Sequence, residues 1–277
     1  MPGPDLHLHS TCSDGLLTPE EIVARALSLG LPAIAIADHD TVGGIDPAIA
    51  AAEGTGLLVV PALELSADAG QRTVHILGYH IDHHDSQLQS RLARLREGRR
   101  ERAVRILHAL ADDGILIDLG ETITAEEDAA IGRAHIARAL VQDGHARDMS
   151  DAFARFVGEG APYFAAKMLV TPQQAIGWIT DAGGVPVLAH PGLSGVDDLL
   201  PGLVADGLAG IEACHASHDA VAVSHYRALA ARFDLIVTGG SDYHGSSREG
   251  GAMGCAAAPD GAVEALAEAA ARQRGHR

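Results

Sequence analysis

The feature that most constrains the fold is a repeated pairing of a short apolar run with a segment of helical character. The apolar runs are Asp5–His9, Ala33–Asp38, Leu57–Glu64, Thr73–Tyr79, Val185–His190, Gly210–Glu212 and Leu235–Ser241. The helical segments between them are Pro19–Leu29, Gly44–Glu53, Pro172–Ala182, Val196–Asp206, Ala220–Phe233 and Gly261–Arg274. This alternation indicates βαβ units and a largely parallel α/β sheet. About seven such units over this length favour a closed barrel over an open sheet.

The helix predicted at Pro19–Leu29 carries its own start and stop signals. Thr18 precedes it and Glu21 follows three residues after Thr18, which is the spacing of a capping box, in which each side chain bonds the backbone of the other residue. Gly30 follows the last apolar position and suits the left-handed backbone that ends many helices. Local sequence therefore predicts both ends of this helix.

The stretch from about Ser86 to Met168 interrupts the alternation, because it shows helical periodicity only. Its helical segments are Leu88–Leu110, Glu126–Ile131, His135–Asp143 and Ser150–Val157. We therefore predict a helical insertion at residues 99–167, between a first barrel part at residues 1–98 and a second at residues 168–277. Such an insertion serves either as a lid for substrate recognition or as a structural buttress, and the sequence leaves both open.

Composition and charge exclude several classes of protein. The content of 47% hydrophobic and 21% charged residues is that of a globular chain, and no apolar run approaches the roughly 18 residues of a membrane span. The first residues lack the basic and apolar regions of a secretory signal, so we expect a cytoplasmic protein. A net charge of −17 argues against long nucleic acid as a partner. Three cysteines without a C-x-x-C pair argue against a thiolate metal site.

The ends of the apolar runs carry residues that bind metals. His7 and His9 stand two apart on a strand, so their rings face the same side. The other candidates at or near run ends, or within one of the runs, are Asp14, His39, Glu64, His75, His190, Asp242 and His244. In a parallel barrel the carboxyl ends of the strands meet at one rim. Burying so many ionisable groups without partners is costly, so the pattern predicts a metal cluster at that rim.

The order of these motifs resembles the PHP family, named for polymerase and histidinol phosphatase domains. The motifs are Asp5-Leu-His-Leu-His-Ser, Ser13-Asp14-Gly15, Ala37-Asp38-His39-Asp40-Thr41, Pro61-x-x-Glu64-x-Ser66, His75-Ile-Leu-Gly78, His190-Pro191 and Ser241-Asp242-x-His244. The likeness reaches to about residue 256, apart from the insertion. It is closest to stand-alone phosphoesterases that act on nucleotide 3′,5′-bisphosphates and on short 5′-phosphorylated RNA. It implies a distorted (β/α)7 barrel. Ala37 stands where the family usually has Thr, a departure that leaves the ligands unchanged.

The resemblance also implies a ligand set for two to three divalent metal ions. His7, His9, Glu64 and Asp242 resemble the ligands of one ion, and they would hold the bridging water that attacks phosphorus. Glu64 would also bind a second ion together with His75 and His190. Asp14, His39 and His244 resemble the ligands of a third. Imidazole and carboxylate ligands suit Mn²⁺, which we expect, with Zn²⁺ or Fe²⁺ as alternatives.

Leaving-group protonation and phosphate recognition need further residues. His215 and His218 are the nearest unassigned histidines and therefore candidate proton donors, unless they are exposed loop residues. Gly132-Arg133-Ala134-His135 opens a predicted helix, whose free N–H groups beside Arg133 and His135 make an anion site. Lys167 stands where the insertion rejoins the barrel and could bind substrate. Arg133 is otherwise a surface arginine.

Two other groups of residues are predicted to be solvent-exposed and to have no role in the site. His80, His83 and His84 are predicted to lie in a solvated turn after the Thr73–Tyr79 run. The arginines between Arg91 and Arg105 are predicted to form a solvated helix face, with contact to an RNA backbone as the alternative.

The sequence therefore predicts a metal-dependent phosphoesterase without a Ser or Cys nucleophile, since it contains neither a G-x-S-x-G elbow nor a Walker loop. The expected reaction removes the 3′-phosphate from a nucleotide 3′,5′-bisphosphate such as adenosine 3′,5′-bisphosphate. Trimming of short 5′-phosphorylated RNA is a further expected activity. The alternatives are a histidinol-phosphate phosphatase and a non-catalytic, metal-binding PHP module. The expected partners are a small nucleotide or short RNA, with no membrane.

Overall fold

The computed structural model describes residues 2–70, 72–117, 132–165, 170–245 and 251–275 of the 277-residue chain. The chain divides into two compact units, with Met1–Ser90 and Leu169–Arg277 in unit 1 and Arg91–Met168 in unit 2. The helical stretch predicted at residues 99–167 falls within unit 2. The predicted helix Glu126–Ile131 and the candidate Lys167 lie outside the described residues. The predicted division into an insertion and two barrel parts stays a prediction.

Strands and helices alternate through most of unit 1. The strands are β1 (Asp5–Leu8), β2 (Ala33–Ile36), β3 (Leu58–Val59), β4 (Ala62–Asp68), β5 (Thr73–Tyr79), β6 (Val185–Leu188), β7 (Gly210–His215) and β8 (Ile236–Gly240). The helices of the whole described chain are α1 (Pro19–Leu29), α2 (Ile45–Ala52), α3 (Ser86–Asp112), α4 (Arg133–Gln142), α5 (Met149–Ala152), α6 (Pro172–Asp181), α7 (Pro191–Ser194), α8 (Leu200–Ala205), α9 (Ala220–Phe233) and α10 (Ala262–Gly275). None of these helices combines the length and apolarity needed to cross a membrane.

The strands form two sheets, which confirms an α/β fold. One sheet has the order β1-β2-β3 and is parallel, and the other has the order β4-β5-β6-β7-β8. Isolated parallel bridges, His39–Glu64 and Leu8–Tyr243, connect the two sheets. Within the described residues the ladders do not close into one continuous barrel.

The expectation of a largely parallel sheet is wrong for the middle strands. β4 pairs antiparallel with β5, and β5 pairs antiparallel with β6, whereas β6, β7 and β8 are parallel. The connection from Asp68 to Thr73 explains the hairpin, because a parallel crossover needs a dozen or more residues.

The single strand predicted at Leu57–Glu64 is in fact two strands that belong to different sheets. β3 ends before Pro61, β4 begins after it, and Val60 still donates to the Ile34 carbonyl at 2.8 Å. Pro61 has no N–H to continue a ladder, although its carbonyl accepts from the His80 N–H at 2.7 Å. The proline therefore ends one ladder and lets the chain enter the second sheet just before Glu64.

Two apolar clusters pack against the strands. Leu6, Leu77 and Val187 pack with Leu266 of α10, and Tyr79, fully buried beside them, donates its hydroxyl to the Leu6 carbonyl at 2.9 Å. Leu8, Ile22, Val23, Ile34 and Ile36 form a second cluster between the first sheet and α1. Burying a side chain of this size stabilises the fold by about 1.5–3 kcal/mol. Both clusters therefore hold in place the strands that carry the site residues.

Helix α1 confirms its predicted ends. Thr18 Oγ1 accepts from the Glu21 N–H at 3.3 Å, and Glu21 Oε2 accepts from the Thr18 N–H at 2.9 Å. Gly30 has a φ of 68°, which a residue with a side chain adopts only with strain.

The described residues of unit 2 form helices joined by turns, with no strand among them. Ile106, Leu110, Ile136, Leu140 and Phe156 form its core. A π-helical turn, Phe153–Val157, follows α5. The Asp148 side chain accepts from the Asp151 N–H at 2.9 Å at the start of α5.

Candidate active site

The carboxyl ends of the strands of unit 1 bring the predicted ligand residues together. β1 carries His7 and leads directly to His9, β2 leads to His39, β4 contains Glu64, and β5 contains His75. On the other side, β6 leads to His190, β7 contains Glu212 and His215, and β8 leads to Asp242 and His244. The polar residues that the sequence distributes over the whole of unit 1 thus meet in one place.

Glu64 is the centre of this cluster. Its carboxylate is buried and lies between five imidazole rings. Oε1 lies 2.8 Å from Nδ1 of His75 and 3.1 Å from Nε2 of His190. Oε2 lies 2.9 Å from Nδ1 of His39, 3.5 Å from Nε2 of His7 and 3.5 Å from Nε2 of His9. One carboxylate with both oxygens surrounded by ring nitrogens is placed to act as a metal ligand.

Asp242 and Asp14 define the other side of the cluster. Asp242 Oδ1 lies 3.1 Å from Nε2 of His9 and 3.6 Å from Nε2 of His7. Asp14 Oδ1 lies 3.4 Å from Nε2 of His244 and 3.8 Å from Nδ1 of His9. Four overlapping groups have ligand atoms within 4.8 Å of one another, and they are His9/Asp14/His39/His244, His7/His215/Asp242, His7/Glu64/His190 and His39/Glu64/His75.

Several buried atoms of this cluster lack a hydrogen bond, which fits a divalent cation. Among the described residues these atoms include His7 Nε2, His9 Nδ1 and His190 Nδ1. Leaving buried polar atoms without a partner costs about 1–3 kcal/mol each. The nitrogen and oxygen donors match the preference of Mn²⁺, Zn²⁺ and Fe²⁺. The residues present therefore fit a metal centre.

Three residues at the site have a left-handed backbone, and each is held by another site residue. Asp40, His190 and Asp242 have φ values of 54°, 23° and 54°. The Asp40 N–H donates to the Glu64 carbonyl at 3.0 Å, and the Asp242 N–H donates to the His7 carbonyl at 2.9 Å. Such a conformation costs on the order of 1–3 kcal/mol and is typical of functional sites.

Burial and charge divide the histidines into two groups. Burial first, and then the neighbouring cation of His244, lowers the pKa of His9 to about 4. Burial also lowers the pKa of His75 to about 4, despite the nearby Glu64 carboxylate. These two rings are therefore neutral at physiological pH and ready to bind a cation.

The histidines of the second group are protonated on both ring nitrogens when no cation is bound. Burial disfavours the charged form of His244, but the Asp14 carboxylate outweighs burial and raises the pKa of His244 to about 10. His7 is also buried, and the carboxylates of Glu212, Glu64 and Asp242 together raise its pKa well above the usual range. Burial alone would raise the pKa of Glu64, yet the surrounding imidazoles hold it well below its usual value.

Glu212 is a site residue for which no sequence motif suggested a role. It is fully buried, its Oε1 accepts from Nδ1 of His7 at 3.0 Å, and its Oε2 accepts from the His190 N–H at 2.8 Å. The register of β7 against β8 shifts between Glu212 and Cys214. Such a bulge re-aims side chains, so both Glu212 and His215, three residues apart, reach the cluster. The sequence signal was the position of Glu212 at the end of an apolar run.

The two candidate proton donors have different surroundings. Nδ1 of His215 accepts from the Ser217 N–H at 3.1 Å, so in the neutral ring the proton is on Nε2, which lies 3.6 Å from Asp242 Oδ2. Nε2 of His218 accepts from the Gly192 N–H at 3.1 Å, and its Nδ1 lies 3.0 Å from the Ala213 carbonyl. Both ring nitrogens of His218 therefore contact backbone groups, whereas His215 directs an N–H toward the cluster.

The predicted substrate-binding residues that the structure describes belong to unit 2. Arg133 begins α4, donates to the Val157 carbonyl at 3.3 Å and packs over the rings of Phe153 and Phe164. Nδ1 of His135 accepts from the Gly132 N–H at 3.0 Å. A substrate contact by His135 would therefore use its other ring nitrogen.

Arg102 is one of the arginines predicted to form a solvated helix face, and that prediction is wrong for it, because the residue is buried. Only 5% of the residue is exposed, and its Nε donates to the Ala165 carbonyl at 2.7 Å. Burial, followed by the charges of Arg133, Arg99 and Arg105, lowers the pKa of Arg102 to about 9. Guanidinium groups form strong, charge-assisted hydrogen bonds with phosphate and carboxylate groups, so Arg102 is a candidate to contact an anion.

A further small group lies away from the cluster, in the turn predicted to be solvated. Nε2 of His83 lies 2.8 Å from Oδ1 of Asp46, and Nε2 of His84 lies 3.7 Å from the same atom. The Asp46 and His84 side chains are mostly exposed to solvent.

Comparison with known proteins agrees with this geometry. The PHP domain family matches residues 5–159. A 3′,5′-nucleoside bisphosphate phosphatase of Chromobacterium violaceum is 35% identical over 90% of this chain and 90% of its own length. A 5′-3′ exoribonuclease of Haemophilus influenzae is 35% identical over 87% of this chain and 89% of its own length. A structure from Bifidobacterium adolescentis, described as a metal-dependent phosphoesterase, covers 97% of this chain and 98% of its own, with a TM-score of 0.89 and 34% identity.

Proposed function

Since this chain belongs to the PHP domain family and is a hydrolase of phosphate esters, we propose that it removes the 3′-phosphate from a nucleoside 3′,5′-bisphosphate. The observation that carries the proposal is the Glu64 carboxylate, which is shared by the rings of His39, His75 and His190. The likeness to the Chromobacterium violaceum phosphatase supports the choice of substrate.

The metal ligands in this proposal are the nine residues that the sequence predicts. They are His7, His9, Asp14, His39, Glu64, His75, His190, Asp242 and His244. Divalent cations, when bound, supply an activated water and neutralise charge on the phosphate during in-line attack. The donor set supports two to three ions, with Mn²⁺ as our proposed metal and Zn²⁺ or Fe²⁺ as alternatives.

His215 is the residue that we propose as proton donor to the leaving 3′-oxygen. The Ser217 N–H fixes the tautomer of the neutral ring, because it donates to Nδ1 and leaves the proton on Nε2. The same tautomer offers no lone pair at Nε2, so His215 is suited to donate a proton rather than to bind a cation. His218 lacks this arrangement, because its ring nitrogens contact the Gly192 N–H and the Ala213 carbonyl.

The second phosphate of the substrate requires a separate cationic site. We propose Arg133, His135 and Lys167 for it, as the sequence predicts, with Lys167 outside the described residues. The buried Arg102 adds a fourth group to this proposal, because no carboxylate among the described residues pairs with it and a bound phosphate would offset the cost of burying its charge.

The finer architecture is also a proposal. We propose that the two sheets form the distorted (β/α)7 barrel of the family. The His39–Glu64 and Leu8–Tyr243 bridges support it, since each joins an end of one sheet to the other sheet.

Trimming of short 5′-phosphorylated RNA is our second candidate activity. The 35% identity to the Haemophilus influenzae exoribonuclease favours it. Both reactions need the same chemistry, namely attack of water on a phosphorus atom, and differ in the group that leaves. The predicted cytoplasmic location and the lack of long nucleic acid partners stay predictions.

A substrate panel tests the proposal directly. Phosphate release is measured with Mn²⁺ present from adenosine 3′,5′-bisphosphate, adenosine 3′-phosphate, adenosine 5′-phosphate, a short 5′-phosphorylated RNA and histidinol phosphate. We expect the bisphosphate to have the highest kcat/KM and to yield the 5′-monophosphate. A preference for histidinol phosphate would establish the alternative phosphatase activity instead.

A further inference from the structure

Glu212 is a buried carboxylate of the site that belongs to none of the groups with ligand geometry found among the described residues. It lies on β7 and is fully buried. Its two oxygens are each engaged by a different element of the cluster, since Oε1 meets the His7 ring and Oε2 meets the backbone of His190. A carboxylate with both oxygens engaged in hydrogen bonds can orient the two residues that donate to it.

The contact with His7 determines which ring nitrogen points into the cluster. Nδ1 lies 3.0 Å and 3.3 Å from the two oxygens of Glu212. A carboxylate only accepts, so Nδ1 carries a proton. Nε2 is then the nitrogen left to bind a cation, and it lies 3.5 Å from Glu64 and 3.6 Å from Asp242. A carboxylate that receives the second N–H of a ligand histidine orients the ring and increases its basicity.

The contact with His190 holds its backbone in an unusual conformation. His190 has φ 23° and ψ 58°, an uncommon region for a residue with a side chain. Its N–H donates to Glu212 Oε2 at 2.8 Å. This conformation directs Nε2 of His190 to within 3.1 Å of Glu64 Oε1.

The two contacts also place the rings of His7 and His190 side by side. Their centroids lie 5.7 Å apart and the planes are inclined by 18°. His7 and His190 come from different strands, β1 and the end of β6, which lie in different sheets. Glu212 contacts Nδ1 of His7 and the backbone N–H of His190, whereas Glu64 faces Nε2 of both rings.

We propose that Glu212 is a positioning residue that sets the tautomer of His7 and the backbone of His190 with one carboxylate, and so prepares two metal ligands at once. The inference rests on the proposed function, because it takes both histidines as metal ligands. Glu212 itself binds neither metal nor substrate.

The substitution Glu212→Gln tests the proposal with no change in side-chain volume. Both groups that Glu212 accepts from are N–H donors, and an amide has only one oxygen, so its NH₂ group would face the second donor. We expect the affinity for Mn²⁺, measured by calorimetric titration without substrate, to fall by about 10- to 100-fold. Turnover should recover when the Mn²⁺ concentration is raised. Glu64→Gln, which removes a proposed ligand, should not recover in this way.

A control variant separates positioning from general loss of stability. Asp151 is a buried carboxylate of unit 2 that pairs with Arg147 and Arg155, so Asp151→Asn should lower thermal stability and leave Mn²⁺ affinity unchanged. Equal Mn²⁺ affinity in the wild type and in folded Glu212→Gln would overturn the inference and leave the proposed function standing. A wild type that binds no Mn²⁺ would overturn both.

Nuclear magnetic resonance of the wild-type protein provides a second measurement that does not depend on any variant. In the Zn²⁺-loaded protein with ¹⁵N-labelled histidine, we expect the His7 proton on Nδ1, in a hydrogen bond that slows its exchange with water. A proton on Nε2 of His7 would contradict the proposal even if Glu212→Gln failed to fold.

Discussion

His39 and Glu64 are joined twice, once through the backbone and once through their side chains. They form a parallel bridge between the two sheets, flanked by the hydrogen bonds from Asp40 N–H to the Glu64 carbonyl and from Glu64 N–H to the Asp38 carbonyl. Nδ1 of His39 also lies 2.9 Å from Glu64 Oε2. The contact that links the sheets is therefore part of the site itself.

Replacing Glu64 should separate the fold from the chemistry. In Glu64→Gln the backbone bridge stays, so we expect an unchanged circular dichroism spectrum. The shared negative charge is lost, and the loss of a cation worth several kcal/mol of transition-state stabilisation corresponds to roughly 10³-fold or more in turnover. Metal content and phosphate release are measured side by side. Glu53→Gln, on the exposed end of α2, is the control. Full metal content with normal turnover in Glu64→Gln would refute the ligand assignment.

The role of His215 can be tested through the leaving group. His215→Asn should lower kcat for a nucleoside 3′-phosphate by about 10²- to 10⁴-fold, because the departing alkoxide needs a proton. p-Nitrophenyl phosphate releases a stable phenolate without help, so its hydrolysis should change little. His218→Asn should affect both substrates alike. Equal losses on the two substrates for His215→Asn would show that the ring does not protonate the leaving group.

Metal binding should release protons, so metal affinity should increase with pH. His244 has a pKa raised to about 10 and His7 also has a raised pKa, so both are protonated near neutral pH and must lose a proton to bind a cation. Each displaced proton strengthens apparent affinity about tenfold per pH unit until pH exceeds the ring's own pKa.

His9 and His75, with pKa values of about 4, are already neutral and should add nothing to this dependence above that pH. Calorimetry of Mn²⁺ binding in two buffers of different ionisation enthalpy counts the released protons. Affinity that stayed constant between about pH 6 and pH 8 would contradict the predicted protonation of His244 and His7.

The proposed second phosphate site predicts a difference between two substrates. Arg133→Ala and Lys167→Ala each remove a charge-assisted contact worth about 1.5–3 kcal/mol, or roughly 10- to 150-fold. We expect this loss in kcat/KM for adenosine 3′,5′-bisphosphate and almost none for p-nitrophenyl phosphate, which has one phosphate. Arg147→Ala, an exposed arginine of the same unit, is the control. A similar loss on both substrates would show that these residues contact the reacting phosphate or stabilise the fold.

Local sequence determines the ends of individual helices and the side of a strand on which a residue lies. The spacing of Thr18, Glu21 and Gly30 defines both ends of α1, because a capping box and a left-handed glycine act within a few residues of chain. The two-residue spacing of His7 and His9 puts both rings on one side of β1, because side chains alternate along a strand.

Which residues contact one another, and which rings are protonated, depends on the tertiary structure. Pro61 divides one apolar run between two sheets, and the short turn after Asp68 makes β4 and β5 antiparallel, although hydrophobic pattern alone cannot tell one strand from two. Glu212 and His215 acquired their roles through a bulge in β7 and through partners far away in sequence. Strand pairing and ring protonation depend on contacts between distant segments, and those contacts exist only when the chain has folded.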